Sequence, residues 1–164
     1  MTVVVGYTNG RTWGIGADSG AYEDTGLYQL TAEAKCWQAG DAFVGVSGSF
    51  RAMEVARRSK LGDPYALRNA LLEANVGNDW NVLIVTRKAL YEVDDSFSVI
   101  KLKGNYGAIG IANGVALGAL AIAAKWSFDT EEAVRLALAA CGTHSTYVAP
   151  PYTKLFQSVA KEQP

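Results

Sequence analysis

The stretch Ala42-Phe43-Val44-Gly45-Val46-Ser47-Gly48-Ser49-Phe50-Arg51-Ala52-Met53-Glu54-Val55-Ala56 changes period in its middle. Up to Ser47 it is a short apolar run with β-branched valines, the pattern of a buried strand. Beyond Gly48-Ser49, Phe50, Met53, Val55 and Ala56 fit a helix that ends near Gly62. Upstream of this switch the chain reads as strands. Val3, Val4 and Val5 open a β-branched run, Asn9-Gly10 is the favoured dipeptide of a two-residue type I′ hairpin, and Thr12 to Ala17 resumes as a strand. Asp18 to Thr31, punctuated by Gly20, Asp24 and Gly26, reads as a loop with a short extended piece. Ala34 to Gln38 is a further strand, turned into Ala42 to Ser47 by Gly40-Asp41. Five strand pieces therefore precede the first helix.

Downstream the pattern repeats in reverse. Asp63-Pro64 puts an N-cap before a first-turn proline, which predicts a second helix from Pro64 to about Ala74. Strands follow over Trp80 to Thr86, Ala89 to Val93, Phe97 to Leu102 and Tyr106 to Ile109. Asn113 to Lys125 reads as a helix, and Asp129 caps another that runs through Glu131, Val134, Leu138 and Ala140. Ser145 to Val148 is expected as a last strand, stopped by Pro150-Pro151. The tail from Pro150 to Pro164 reads as a short amphipathic helix docking on a neighbour, or as a frayed end. Strand runs kept apart from helix runs argue against a doubly wound parallel sheet. The economical solution is an α+β, four-layer αββα sandwich. Two stacked antiparallel sheets are each covered outside by a helix pair, in a single domain over residues 1–164.

Composition narrows the function classes. Of 164 residues, 49% are hydrophobic and 19% charged, with seventeen glycines against four prolines, which excludes a disordered, collagen-like or coiled-coil chain. Fifteen basic against sixteen acidic side chains offer no cationic surplus for phosphates, so no nucleic-acid partner is expected. The two cysteines, Cys36 and Cys141, make at most one disulfide and no four-ligand zinc site. The start, Met-Thr-Val-Val-Val-Gly, lacks the basic region and longer apolar core of a signal peptide, so a cytoplasmic chain with reduced thiols is expected. Gly104 to Ala124 carries no charge, and Gly110, Gly114 and Gly118 fall at GxxxG spacing. Its Ala/Gly content gives little insertion energy, and a strand followed by a tightly packed helix is the preferred reading over a membrane span.

Familiar catalytic signatures are missing. His144 is the single histidine, and no GxSxG, GxxxxGK[ST] or HExxH sequence occurs. A thiolate pair of Cys141 with His144 has weak support, because free cysteines are usually core residues. No metal or organic cofactor is expected. What remains lies at the front of the chain. Removal of Met1 would leave Thr2 with a hydroxyl and a free α-amine, whose pKa of roughly 8 lets it take the hydroxyl proton near neutral pH. One residue would then supply both nucleophile and base.

Thr2-Val3-Val4-Val5-Gly6, Gly16-Ala17-Asp18-Ser19, Lys35 and Gly45-Val46-Ser47-Gly48 together resemble the proteasome β-subunit and bacterial HslV-type peptidases, which are N-terminal nucleophile (Ntn) hydrolases. The resemblance extends over most of the chain. Trp80 to Val93 is similar to the family's central hairpin, Ala108-Ile109-Gly110 to the strand before its third helix, and Asp129 to Cys141 to its fourth helix. It implies an αββα fold and a threonine-type endopeptidase, with Thr2 as nucleophile, Asp18 orienting Lys35, Lys35 tuning the hydroxyl, and the Gly48 N–H stabilising the oxyanion. It also implies a homo-oligomeric ring, peptide or unfolded-protein substrates and an ATP-dependent unfoldase as partner. With Met1 discounted, Asp18 and Gly48 stand at the family's spacing. Lys35 is one residue late, as a one-residue insertion between Ser19 and Thr31 would explain.

Two departures stand beside these matches. Ile111 occupies the place of a family serine, and Gly142-Thr143-His144-Ser145 that of an aspartate near the amine, with Thr143, His144 or Ser145 as candidate substitutes. Singly, Asp18 also reads as a turn residue, Lys35 as a solvated strand lysine and Gly48 as a tight turn before a helix. The alternative function is therefore a catalytically inactive homologue of the same fold, acting as a self-assembling scaffold or interaction protein.

Overall fold

A computed structural model of the protein describes residues 2–22, 28–31 and 33–159. Strands β1 (Val3–Thr8) and β2 (Thr12–Ala17) form the expected hairpin, in which Asn9 Oδ1 accepts the amides of Arg11 and Thr12 at 3.0 and 2.8 Å. The stretch read as a loop holds a small hairpin, β3 (Gly20–Tyr22) and β4 (Tyr28–Leu30). Then come β5 (Cys36–Ala39), β6 (Ala42–Gly48), α1 (Phe50–Ser59) and α2 (Pro64–Glu73). The second half supplies β7 (Trp80–Val85), β8 (Leu90–Asp94), β9 (Val99–Lys101), β10 (Tyr106–Gly110), α3 (Asn113–Lys125), α4 (Thr130–His144) and β11 (Thr153–Ser158).

One antiparallel sheet has the order β10-β1-β2-β11 and the other β5-β6-β7-β8-β9. The strand period of two sorts each strand's side chains between layers. Val3, Val5 and Tyr7 of β1 pack on Ala116, Leu120, Val134 and Leu138 of α3 and α4. Val4 points the other way and meets Ile15, Phe43, Leu83, Val85 and Ile109 between the sheets. On the far side, Val44, Val46, Val82 and Ile84 pack under Ala52, Met53, Leu67 and Leu71 of α1 and α2. Central strands are thus covered on both faces, which is why they read as continuous apolar runs rather than alternations. Each fully buried Leu, Ile or Val contributes roughly 1.5–3 kcal/mol. Glycine sets the spacing between the sheets. A Cβ at Gly6 would overlap Val85 and crowd Leu83 and Leu90, and one at Gly45 would strike Val4.

The helices start where side chains accept their free amides. Ser49 accepts from Ala52, Asp63 from Tyr65 and Ala66, and Asp129 from Glu132. No described helix is long and apolar enough to cross a membrane, and the uncharged stretch 104–124 is divided between β10 and α3.

Three expectations are corrected. Residues 145–148 form no strand. Helix α4 runs to His144 and Ser145 is its C-cap, its amide bonded to the Cys141 carbonyl at 2.9 Å. The last strand is β11, inside the tail read as a helix or a frayed end. Thr153–Ser158 alternates in burial, placing Leu155 against the inter-sheet core. Phe156, on the opposite face, fills the space left by Gly14. The open edge of β2 outcompeted the helical spacing of Leu155, Phe156 and Val159. Finally, β9 begins at Val99 rather than Phe97, because Asp94 Oδ1 accepts from the amides of Ser96 and Ser98 and holds 94–98 as a turn.

Candidate active site

The start of β1 is held by both flanking strands. The Thr2 carbonyl accepts the Ile111 amide at 2.9 Å, just past β10, and the Val3 carbonyl accepts the Asp18 amide at 3.3 Å, just past β2. Gly110 has φ +95°, and a Cβ there would overlap the Thr2 carbonyl oxygen, so only glycine suits this crossing. The β1–β2 register, with Val4 opposite Ala17, delivers Asp18 beside Val3. Its carboxylate accepts the Val3 amide on Oδ1 at 2.9 Å and the Gly20 amide on Oδ2 at 2.8 Å.

Lys35 enters from the other sheet. It immediately precedes β5, and its carbonyl accepts the Val46 amide at 3.0 Å. Lys35 Nζ lies 2.7 Å from Thr2 Oγ1, 3.3 and 3.4 Å from the Asp18 carboxylate oxygens, and bonds to the Gly20 carbonyl. An ammonium has three N–H donors. Here one faces the hydroxyl, one the carboxylate and one the backbone.

Lys35 is 2% exposed and Asp18 1%. Burial lowers the Lys35 pKa, opposed by the attraction of Asp18 and its hydrogen bond. Burial likewise raises that of Asp18, opposed by Lys35 and by the Val3 and Gly20 amides. Desolvation thus outweighs the pair's attraction, as is common for buried ion pairs. Such a lysine gives up its proton more readily than one in water, and while protonated it stabilises negative charge on Thr2 Oγ1.

Gly48 ends β6 with φ +89°, and a Cβ there would overlap the Asp79 carbonyl. It precedes the α1 cap Ser49. Its neighbour Ser47 is buried and lies against Gly110, which lies in turn against Thr2. Gly48 and Ile111 are exposed beside this buried centre.

The candidate substitutes at 143–145 make their bonds at their own helix end. Thr143 Oγ1 donates to the Ala139 carbonyl at 3.0 Å, and Ser145 Oγ accepts the Tyr147 amide at 3.3 Å. His144 is the exposed last residue of α4. Cys141 is fully buried, with its Sγ 3.6 Å from the Ala112 carbonyl, and burial pushes its thiol up to about 11, which disfavours a thiolate nucleophile. Among the described residues no group of three or more His, Cys, Asp or Glu forms a metal-binding cluster. A cavity of about 790 Å³ lined by Trp13, Asp41, Arg87, Tyr91 and Gln157 does not include Thr2. Trp13 pairs with Thr8, at the other end of β1.

Met1 lies outside the described residues, and so does part of the segment 19–31 where a one-residue insertion is expected. The sequence reading missed Gly20, which uses its amide on Asp18 and its carbonyl on Lys35, and the amide of Val3. Backbone groups carry no side-chain signature. The one available signal was that Gly20 follows Asp18 by two residues, within reach of an Asx-type turn.

No protein-family model matches the sequence, and no curated protein matches it significantly. Solved structures do match the fold. BPH from Thiobacillus denitrificans, solved in complex with epoxomicin, superposes with a TM-score of 0.80 at 20% identity, over 98% of this chain and 100% of that one. HslV from Trypanosoma brucei gives 0.77 at 15% identity, over 96% and 99%. Anbu from Yersinia bercovieri gives 0.73 at 13%, over 96% and 81%. The chain has the proteasome-like, HslV-type sandwich of the Ntn hydrolases.

Proposed function

We propose that the chain is a threonine-type endopeptidase subunit in which Thr2, freed of Met1, is the nucleophile. The observation that carries this reading is the 2.7 Å approach of Lys35 Nζ to Thr2 Oγ1, with Asp18 behind it. The free α-amine takes the hydroxyl proton as Oγ1 attacks a peptide carbonyl. Lys35 lowers the cost of negative charge on the oxygen, and the Gly48 N–H receives the developing oxyanion. The amine then protonates the leaving nitrogen as the C–N bond breaks. Water, deprotonated by the same amine, attacks the ester and returns the Thr2 hydroxyl. No step calls on a metal or an organic cofactor.

Homo-oligomeric assembly, peptide or unfolded-protein substrates, an ATP-dependent unfoldase as feeder and a cytoplasmic setting, with neither nucleic acid nor membrane as partner, belong to the same proposal and rest on the resemblance. Along α3 and its flanks, Ile111, Ile122 and Trp126 are 53%, 55% and 69% exposed, apolar surface of the kind that protein contacts cover. A second reading is an inactive scaffold of the same fold. It is favoured by Ile111, apolar where the family has a serine, and by Thr143, whose hydroxyl donates to the Ala139 carbonyl of its own helix.

Intact mass separates the two. Loss of one methionine, followed by covalent labelling of Thr2 with an N-terminal-threonine-directed inhibitor, is the expected result. Thr2→Ala is expected to lower peptide hydrolysis by about a thousandfold or more. Retained Met1 in the assembled protein, or unchanged hydrolysis by Thr2→Ala, would overturn the peptidase reading.

A further inference from the structure

The amide and carbonyl of Gly20 both serve the Thr2 centre, yet Gly20 itself has no side chain to hold it. The β3–β4 ladder holds it on one side, and its predecessor does the holding on the other. Ser19 is 8% exposed and makes four hydrogen bonds. Its amide donates to the Ala149 carbonyl at 3.1 Å, and its hydroxyl donates to the Pro151 carbonyl. Its carbonyl accepts from the Thr31 amide at 2.9 Å and from the Thr31 hydroxyl at 3.3 Å. The last two bonds fix the Ser19–Gly20 peptide plane from its oxygen side. The N–H of that same plane is the one that donates to Asp18 Oδ2.

The partner segment explains why a hydroxyl is needed. The β2–β11 ladder pairs Ala17 with Thr153, so its continuation brings Ser19 toward Pro151. Proline has no N–H. The ladder cannot continue through backbone donors from that strand, and Ser19 instead supplies two donors, its amide and its hydroxyl, to two carbonyls.

We propose that Ser19 is a positioning residue, its hydroxyl on the Pro151 carbonyl holding residues 18–20 so that Gly20 meets both Asp18 and Lys35. This rests on the peptidase reading for its catalytic consequence but not for its structural one. The approach to β11 thereby becomes a support of the Thr2 centre. Loss of the hydroxyl lets the 18–20 backbone relax. Asp18 then loses a donor to its carboxylate and Lys35 an acceptor for its ammonium, which raises the one pKa further and lowers the other. The ionisable groups facing this centre are few among the described residues. Lys35 faces Asp18, the Cys141 thiol of α4 stands near Asp18, the Arg57–Glu33 pair borders Lys35 through the Ala34 carbonyl, and on the peptidase reading the freed α-amine of Thr2 joins them.

The experiment compares the wild-type protein with Ser19→Ala and Ser19→Thr in two readouts. The first is the pH profile of peptide hydrolysis. Ser19→Ala is expected to lower kcat about tenfold with KM within twofold, and to narrow the active pH range from both sides. Ser19→Thr, which keeps the hydroxyl, restores both. The second is NMR titration of the Asp18 carboxyl carbon and the Lys35 amine nitrogen, which needs no activity. Asp18 is expected to titrate higher and Lys35 lower in Ser19→Ala. Unchanged titration of both groups overturns the proposal, even if Ser19→Ala melts at lower temperature, because Ser19 is then structural only. Should the wild type prove inactive, the peptidase reading fails and the titration alone decides Ser19. Should Ser19→Ala not fold, Ser19→Cys, whose thiol is a weak donor in place of the hydroxyl on the Pro151 carbonyl, is expected to move the titrations in the same directions. Unmoved titrations there overturn the proposal too.

Discussion

At the scale of residues, Asp18 and Lys35 are two charges removed from water, and the cost of that burial exceeds what they recover from one another. Breaking the pair from one side is therefore worse than removing it whole. Lys35→Met and Asp18→Asn are each expected to cost about 3–5 kcal/mol in urea unfolding, and the double variant to lie closer to wild type than either. The same pair gives a pH dependence. A lysine whose folded pKa lies below the ordinary 10.5 holds its proton more weakly when folded, so stability rises with pH between the folded value and 10.5. An aspartate raised above 3.8 contributes stability below 3.8 that is lost as pH rises through its folded value. Unfolding curves measured across pH should show both slopes in the wild type and shallower ones in the double variant, where Glu92, also raised by burial, still contributes on the acid side. Thr2, Asp18 and Lys35 were legible because their side chains announce chemistry and stand in a recognisable order. Gly20 and Ser19 were not, since one acts through backbone and the other through a loop that pairs late in the chain. Position 111 was legible as a departure, and the structure gives it a backbone part instead, the amide on the Thr2 carbonyl.

At the scale of elements, what was read correctly was written locally. The Asp63 and Asp129 caps, the Asn9-Gly10 turn and the switch at Gly48-Ser49 each lie within a few residues of the structure they specify. The errors came where a distant partner decides. β11 exists because β2 offers an open edge and two glycines, Gly14 facing Phe156 and Gly16 facing Val134 and Leu138 of α4, and six residues of tail could not reveal that alone. The 94–98 turn displaced the start of β9 because one carboxylate satisfied two amides. Caps have predictable costs. Asp129→Ala is expected to destabilise the protein by about 1 kcal/mol in denaturant unfolding while leaving the proposed peptide hydrolysis unchanged, because α4 starts against Thr12, at the opposite end of the β1–β2 hairpin from Thr2.

At the scale of the molecule, layer order was legible from the grouping of strand and helix runs, whereas the strand order within each sheet had to come from the structure. The pairing of β1 with β10, about a hundred residues later, is the decisive case, since it places Ile111 and Gly110 on Thr2. Between the sheets Gly6 faces Leu83, Val85 and Leu90 with no room for a Cβ. Gly6→Val is expected to cost about 1–3 kcal/mol by overpacking, read as a lower midpoint in thermal unfolding. β1 has a strand on each side and a packed layer on each face, with every residue from Val3 to Thr8 buried. Fluctuations that fray an edge strand such as β9 or β11 do not reach it. Its amides, Val4 to Tyr7, should exchange with deuterium only through whole-molecule opening, alongside the slowest in the chain. The residue that carries the hydroxyl is thus mounted on the part of the protein that lets go last, and heating should erase the proposed peptide hydrolysis and the fold in one transition rather than two.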